Sequence, residues 1–174
     1  EVFGCGGGMR GLPGGALAEY LVVDARLAAR KPRRLSHRES AALPLVALTA
    51  LEGLDRASVA AGDHILVLGG TGGVGHVVTQ LARARGARVT ATASTPDRAR
   101  LAAELGAQTV ADHTRESPAE IAARVTGGHA QSPGIGLATR GIGLTRRAPR
   151  QVLGHAAKNG GNTALTTALK SELL

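Results

Sequence analysis

The chain has 174 residues, 43% of them hydrophobic, a formal net charge of +8 and only two aromatic residues, Phe3 and Tyr20. This length suits one complete domain or parts of two, built on a core of alanine, valine and leucine, and no apolar run reaches the roughly 20 residues of a membrane span. Most of the excess positive charge lies in residues 130–174, and the scarcity of stacking aromatic residues argues against nucleic-acid binding.

Cysteine and histidine are placed unfavourably for a metal site. Cys5 is the one cysteine, so neither an internal disulfide nor a thiolate pair for zinc is expected. The six histidines are scattered and lack ligand spacing. The first residues do not have the pattern of a secretory signal peptide. We therefore expect a cytoplasmic protein without a metal site or a membrane segment.

The first 35 residues are predicted to contain strands but no helix. Residues 16–23 predict one strand, and a turn at Asp24 leads to a second, short strand near Leu27. Lys31 and Pro32 end this region. We interpret residues 1–35 as the last strands of an all-β module.

Residues 36–63 are predicted to be mainly helical. Ser36 and Glu39 have the spacing of a capping box, which predicts a helix that begins after Ser36. Pro44 is expected either to interrupt this helix or to open a second one. That second helix, ending at Leu54, is apolar on nearly all sides and is predicted to be buried.

A strand, a glycine-rich turn and a helix follow one another at residues 65–86. Four apolar residues predict a strand that is buried on both faces, and the apolar spacing beyond the turn predicts a helix that ends at Gly86. Gly70, Gly72 and Gly75 fit the pattern G-x-G-x-x-G in the context that makes it specific for dinucleotides.

Each glycine of the motif has a predicted task. Gly70 is assigned to the tight turn, Gly72 to the approach of a pyrophosphate, and Gly75 to close packing of helix and strand. The N-terminus of the helix would offer N–H groups to the phosphates. A P-loop is excluded because His76 and Val77 stand where that motif needs Lys and Ser or Thr. A glycine-rich turn without a ligand remains the alternative.

Two further strand–helix units are predicted after Gly86. The expected strands are residues 88–93 and 108–111, and the expected helices begin after Thr95 and Ser117. This alternation predicts a parallel sheet with right-handed crossovers. The topology of such a sheet would place its next strand within residues 131–150, but these residues contain no apolar run typical of a strand, so we predict none there. A further strand is predicted at residues 162–169.

From Gly14 to Gly128 the chain resembles the zinc-independent quinone reductase branch of the medium-chain dehydrogenase/reductase superfamily. The segments that carry the resemblance are residues 15–20, 42–50, 61–63, 69–75 and 104–107. It implies an α/β fold: an incomplete, Rossmann-type doubly wound parallel sheet, preceded by the last strands of a GroES-like β domain. The domains would then be residues 1–35 (GroES-like), 36–129 (Rossmann) and 130–174 (a divergent or irregular continuation). Within the last of these, residues 130–151 are either a reading-frame error or a true divergence.

The resemblance also implies roles for individual residues. The pyrophosphate-binding turn corresponds to Gly72, Gly73, Val74 and Gly75. Thr49 corresponds to a threonine that approaches the nicotinamide, although a hydrogen bond within a buried helix would explain it equally well. Ser94 and Arg98 correspond to residues that meet the adenosine 2′-phosphate. His113 corresponds to a residue near the adenosine end, or is simply an exposed loop histidine. No residue is assigned as the catalytic acid or base.

The cofactor preference is predicted from the end of the second strand. NAD-dependent Rossmann proteins place a carboxylate there for the ribose hydroxyls. Ala93 stands at that position, whereas Ser94 and Arg98 can hydrogen-bond a phosphate. Asp97 is expected to serve the helix dipole instead. We therefore expect NADPH to be preferred to NADH.

Two functions are consistent with these observations. The first is an NADPH-dependent oxidoreductase that passes hydride to a quinone or an activated carbonyl or alkene substrate. The second is a nucleotide-binding fragment or degraded paralogue without catalysis. We expect a small-molecule substrate and neither a nucleic acid nor a membrane as partner. We also expect the full-length parent to be a homo-oligomer. The open edge of a three-stranded sheet predicts that this chain alone is poorly soluble or oligomeric.

Overall fold

The computed structural model describes residues 1–6 and 16–127, together with the backbone of two short strands beyond them. The elements, in chain order, are β1 (Val2–Gly4), a 3-10 helix (Ala25–Leu27), β2 (Ala28–Arg30), α1 (His37–Arg56), β3 (His64–Val67), α2 (Gly75–Ala84), β4 (Arg88–Ala93), α3 (Pro96–Glu104), β5 (Thr109–Asp112), α4 (Pro118–Thr126), β6 (Ile135–Leu137) and β7 (Ile142–Leu144). Within the described residues, the chain divides into two compact units: residues 1–48, and residues 49–127 together with β6 and β7.

The first unit contains an antiparallel pair of strands, β1 and β2, in which Phe3 lies opposite Ala29. The 3-10 helix before β2 is capped by Asp24, which accepts hydrogen bonds from the Arg26 backbone N–H and guanidinium. These bonds lower the pKa of Asp24 to about 2. The short strand predicted near Leu27 is thus confirmed one residue later.

The strand predicted at residues 16–23 is wrong. This segment forms no ladder, and its apolar side chains lie in solvent, with exposed fractions of 104% for Leu17, 91% for Tyr20 and 92% for Val22. Apolar, β-branched and aromatic residues favour a strand only where the segment also pairs and packs with a neighbour. Among the described residues, neither β1 nor β2 pairs with this segment.

Helix α1 begins as predicted but does not break at Pro44. The Ser36 N–H donates to the Glu39 carboxylate at 2.8 Å, and the Glu39 N–H donates to Ser36 Oγ at 3.2 Å, which confirms the capping box. Pro44 lies inside one continuous helix of 20 residues. A proline costs the helix one backbone hydrogen bond. Burial of Pro44, Ala47 and other apolar side chains along α1 offsets that loss.

The second unit holds a parallel sheet with the strand order β3-β4-β5. Ile65 lies opposite Val89, and Ala93 lies opposite Asp112. Leu66 packs with Ala111 and with Ile121 of α4. Side chains alternate along a strand, so Ile65 lies on the other face, where it is also fully buried. The predicted α/β fold of Rossmann type is confirmed.

The predicted helix boundaries in this unit are also confirmed. Thr95 caps α3 with Pro96 in its first turn, and Ser117 and Glu120 form a complete capping box at α4. Gly86 follows α2 with φ of 81°, a left-handed conformation that glycine adopts without strain.

The absence of a strand within residues 131–150 is a wrong prediction, because β6 and β7 form an antiparallel pair there. We looked for the long apolar run of a buried parallel strand. A hairpin needs only short segments, here two Ile-Gly-Leu tripeptides. The strand predicted at residues 162–169 lies outside the described residues. Within the described residues, no helix combines the length and the apolarity needed to cross a bilayer.

Candidate functional site

The glycine-rich turn leaves the end of β3 and is held by the neighbouring strand. The Gly69 N–H donates to the Thr92 hydroxyl at 2.8 Å, and the Gly70 N–H donates to the Thr92 carbonyl at 3.2 Å. On the helix side, the Thr79 hydroxyl donates to the Gly70 carbonyl at 3.4 Å. Both threonines are fully buried. The backbone of the turn is therefore fixed from β4 and from α2.

The space around each glycine separates their tasks. A Cβ at Gly75 would lie 2.0 Å from the Gly69 oxygen, so only glycine allows this approach of α2 to the strand end. A Cβ at Gly70 would lie 2.5 Å from the Ala91 Cβ. A Cβ at Gly72 would meet a single atom, the Gly69 oxygen, at 3.2 Å. Gly75 thus packs as predicted, and Gly72 is exposed and has a single close neighbour.

The tight turn itself was assigned to the wrong glycine. Gly69, with φ of 69°, adopts the left-handed conformation of the turn. At residue 70 glycine is needed for a different reason, because a side chain there would collide with Ala91 of β4. Gly69 and Thr92 are the residues of the turn that sequence reasoning missed. The two threonines of β4, Thr90 and Thr92, were the available signal, because a buried hydroxyl needs a partner.

Four backbone donors of the turn are unpaired among the described residues. They are the N–H groups of Thr71, Gly73, Val74 and Gly75. Helix α2 also begins without a side-chain cap at Val74, whereas α3 and α4 begin with capping hydroxyls. Converging N–H groups at the positive end of a helix bind anions. The donor set and the open face at Gly72 fit a pyrophosphate.

The other predicted site residues, with one exception, follow the carboxyl ends of the neighbouring strands. Ser94 comes directly after β4, Arg98 lies in the first turn of α3, and His113 comes directly after β5. Since β3, β4 and β5 are parallel, all three lie on the same edge of the sheet as the glycine turn. Thr49 is the exception: it is half-buried in α1 and follows no strand of the sheet.

The charged side chains at this edge differ in whether they already have a hydrogen-bond or ion-pair partner. Asp97 pairs with Arg100 in the first turn of α3. Asp112 accepts hydrogen bonds from the hydroxyl and N–H of Thr114, and these bonds lower its pKa. The Arg98 side chain is exposed and makes no hydrogen bond or ion pair with any described residue. Arg98 is thus available to an anionic ligand.

The part of the chain that the structure describes contains no group of three or more His, Cys, Asp or Glu side chains that could hold a metal ion. Residues 73–132 nevertheless match the family model described as zinc-binding dehydrogenase. The chain is also 48% identical over 105 residues to the chloroplastic NADPH-dependent alkenal/one oxidoreductase of Arabidopsis thaliana. That match covers 59% of this chain and 27% of the relative, so the chain spans about a quarter of the relative's length.

Solved structures share the same fold. An alcohol dehydrogenase superfamily protein from Novosphingobium aromaticivorans aligns with a TM-score of 0.67 and 48% identity, over 75% of this chain and 39% of that protein. The quinone oxidoreductase of Thermus thermophilus, for which a complex with NADPH is known, aligns with a TM-score of 0.57 and 37% identity. That alignment covers 65% of this chain and 37% of the enzyme.

Proposed function

We propose that this chain binds NADPH for hydride transfer to a quinone or an activated carbonyl or alkene. The premise is that, over the part compared, the chain is a quinone-oxidoreductase-like member of the medium-chain dehydrogenase/reductase superfamily. The relatives are named as oxidoreductases, one of them as NADPH-dependent. The chain covers well under half of each of them, so its activity and its substrate are proposals.

The observation that carries the proposal is the donor set at the end of β3. The N–H groups of Gly73, Val74 and Gly75, unpaired among the described residues, directly follow the exposed Gly72 at the uncapped start of α2. A diphosphate bound there would satisfy these donors and use the helix dipole. Binding would fix the middle of the cofactor, and the rest of the sheet edge would then orient its adenosine and nicotinamide halves.

Two residues at the end of β4 and one in the first turn of α3 support NADPH as the preferred cofactor. Ala93, buried and uncharged, supplies no carboxylate for the ribose hydroxyls and repels no phosphate. Ser94 is exposed next to it, and the side chain of Arg98 is unengaged among the described residues. A guanidinium binds phosphate through charge-assisted hydrogen bonds, two of them where the geometry allows.

The assignment of Arg98 is tested by Arg98→Ala. A hydrogen bond to a charged group is worth about 1.5–3 kcal/mol, so NADPH affinity should fall roughly ten- to a hundredfold while NADH affinity stays the same. Arg100→Ala is the matched control, because Arg100 is exposed on the same helix and already pairs with Asp97. Equal weakening of both cofactors, or an equal effect of both variants, would show that Arg98 does not meet the 2′-phosphate.

The chemistry of the proposed reaction belongs to the cofactor, which supplies the hydride when bound. The contribution of this chain is to bind and orient it. Thr49, near the nicotinamide, and His113, near the adenosine end, are proposed contacts. The alternative proposal is a nucleotide-binding segment that does not catalyse. Oxidation of NADPH with a small quinone, followed by absorbance, separates the two: binding without turnover would reject catalysis by this chain.

The proposal extends to domain organisation. Residues 1–35 would close a GroES-like substrate domain, residues 36–129 would form the Rossmann domain, and residues 130–174 would continue it. A homo-oligomeric parent is part of the same proposal. A cytoplasmic location stays a prediction, since the Arabidopsis relative is named as chloroplastic.

A further inference from the structure

Gly69 is the residue at which the chain leaves β3, and its own chemistry does not fix its conformation. Its φ of 69° is left-handed, a conformation that glycine adopts without strain but about as readily as others. The Gly69 carbonyl accepts a hydrogen bond from the Gly72 N–H at 2.8 Å and lies close to Gly75. The contacts made by residue 69 therefore determine the path of the chain from β3 to α2.

The hydroxyl of Thr92 is the contact that holds the N–H of Gly69. It accepts from this N–H at 2.8 Å and is the one partner of that donor among the described residues. Thr92 is 1% exposed, so the bond is shielded from water on the strand side. The Thr92 carbonyl also accepts from the Gly70 N–H at 3.2 Å, but any residue could make this backbone bond. The hydroxyl is thus the specific contribution of threonine at residue 92.

A second threonine bonds the turn more weakly. The Thr79 hydroxyl donates to the Gly70 carbonyl at 3.4 Å, beyond the usual range for a hydroxyl donor. Of the two side-chain bonds to Gly69 and Gly70 in the described part of the chain, the bond from β4 is therefore the shorter and stronger one. We expect it to dominate in keeping the start of the turn in place.

We propose that Thr92 is a positioning residue for the dinucleotide: its hydroxyl selects the conformation of the turn in which the N–H groups of residues 73–75 can bind a diphosphate. This inference rests on the proposed function. Without the hydroxyl, the Gly69 N–H loses its partner and the turn populates other conformations. Cofactor affinity then falls in proportion to the population of the competent conformation, although Thr92 itself is buried behind the turn.

A positioning role of this kind affects NADPH and NADH equally, because the diphosphate is common to both cofactors. Arg98→Ala, in contrast, is expected to weaken NADPH alone. The comparison is informative because Ser94, which is assigned to the 2′-phosphate, lies only two residues after Thr92. A disturbance passed along the chain to Ser94 would weaken NADPH and leave NADH unchanged.

The test compares Thr92→Val, which keeps the shape of the side chain but lacks the hydroxyl, with Thr92→Ser, which keeps the hydroxyl. Thr90→Val is the matched control. Thr90 is an equally buried threonine of β4, but its hydroxyl lies 2.9 Å from His64 Nε2, at the far end of β3 from the turn. NADPH and NADH are titrated calorimetrically into each protein, and urea unfolding without cofactor measures stability.

Thr92→Val should bind both cofactors roughly three- to tenfold more weakly, the change expected for the loss of one neutral hydrogen bond. Thr92→Ser should regain most of this affinity. Thr90→Val should lose stability to a similar extent but bind both cofactors like the wild type. Thr92→Ala also lacks the hydroxyl and should bind as weakly as Thr92→Val, which it replaces if the valine variant does not fold.

Three results would overturn the inference: wild-type affinity in the variants without the hydroxyl, equal weakening by Thr92→Val and Thr90→Val, or weakening of NADPH alone. Failure of the wild type to bind either cofactor would instead reject the proposed function.

Discussion

Gly75 and Gly72 belong to the same turn but differ in what surrounds them. At Gly75 an added methyl group would collide with the Gly69 backbone at 2.0 Å, and neither chain segment can move away cheaply. We expect Gly75→Ala to lower the free energy of unfolding by about 1–3 kcal/mol, the usual cost of overpacking. The measurement is urea unfolding followed by circular dichroism.

Gly72→Ala is the matched control for that variant. Its methyl group meets only one atom, the Gly69 oxygen, at 3.2 Å instead of the 2.0 Å at Gly75, so the loss of stability should be smaller than in Gly75→Ala. NADPH affinity should still fall at least tenfold in Gly72→Ala, because the methyl group occupies the open face of the turn. If both variants lost stability equally, Gly72 would have a packing role and not a binding role.

His64 makes the stability of the chain depend on pH. Its ring is half-buried at the start of β3, with Nε2 2.9 Å from the buried Thr90 hydroxyl. Burial, and then the charge of Arg88, lower the pKa of His64 below its ordinary value of 6.5. Between the two pKa values the unfolded chain binds more protons than the folded chain. The contribution of His64 to the free energy of unfolding is thus complete above pH 6.5 and is lost as the pH falls through the pKa of the folded state.

We therefore expect His64→Gln to lose less stability than the wild type between pH 7.5 and pH 5.5. The free energy of unfolding in urea, measured at both pH values, gives the difference directly. His37→Gln is the control, because His37 is exposed and outside the sheet. A wild-type pH dependence in His64→Gln would mean that another group is responsible.

At the scale of elements, structure that depends on residues close in sequence was predicted correctly, and structure that depends on contacts between distant residues was not. The capping boxes at Ser36 and Ser117 marked the helix starts because their hydrogen bonds join residues three apart. Residues 16–23 have the composition of a strand, but a strand also needs a partner that composition does not specify. The break predicted at Pro44 was wrong for a related reason. Burial of apolar side chains along α1 outweighs the one backbone hydrogen bond that proline removes.

The end of α1 offers a test of local backbone strain. Ser58 follows the helix with φ of 49°, the left-handed conformation that side chains disfavour. Its N–H donates to the Asp55 carbonyl at 2.8 Å, a bond that glycine would keep. Ser58→Gly should therefore stabilise the chain by about 0.5–1 kcal/mol. Thermal unfolding measures this gain, and Ser58→Ala, which keeps the strain, should show none.

At the scale of the whole molecule, the sequence predicted the sheet edge that carries the candidate site. Strand order and parallel direction follow from the β-α alternation, and they bring Ser94 and His113 to the edge of the glycine turn. The alternation could not predict which side chains fix the turn. Thr92 lies 23 residues from Gly69 in the chain, so their hydrogen bond depends on the register of β3 with β4. Register is a property of the packed sheet.

The exposed segment at residues 16–22 predicts how the isolated chain behaves in solution. Leu17, Tyr20 and Val22 are more than 90% exposed, and several exposed apolar side chains within one short segment favour association. We expect the chain to form concentration-dependent oligomers, and the triple variant Leu17→Ser/Tyr20→Ser/Val22→Ser to shift towards monomer in sedimentation velocity. Leu45→Ser, which removes a single exposed leucine from α1, should leave the oligomers unchanged. A monomeric wild type at every concentration would contradict this prediction, whereas an oligomeric triple variant would point to the edge strands of the described β3-β4-β5 sheet.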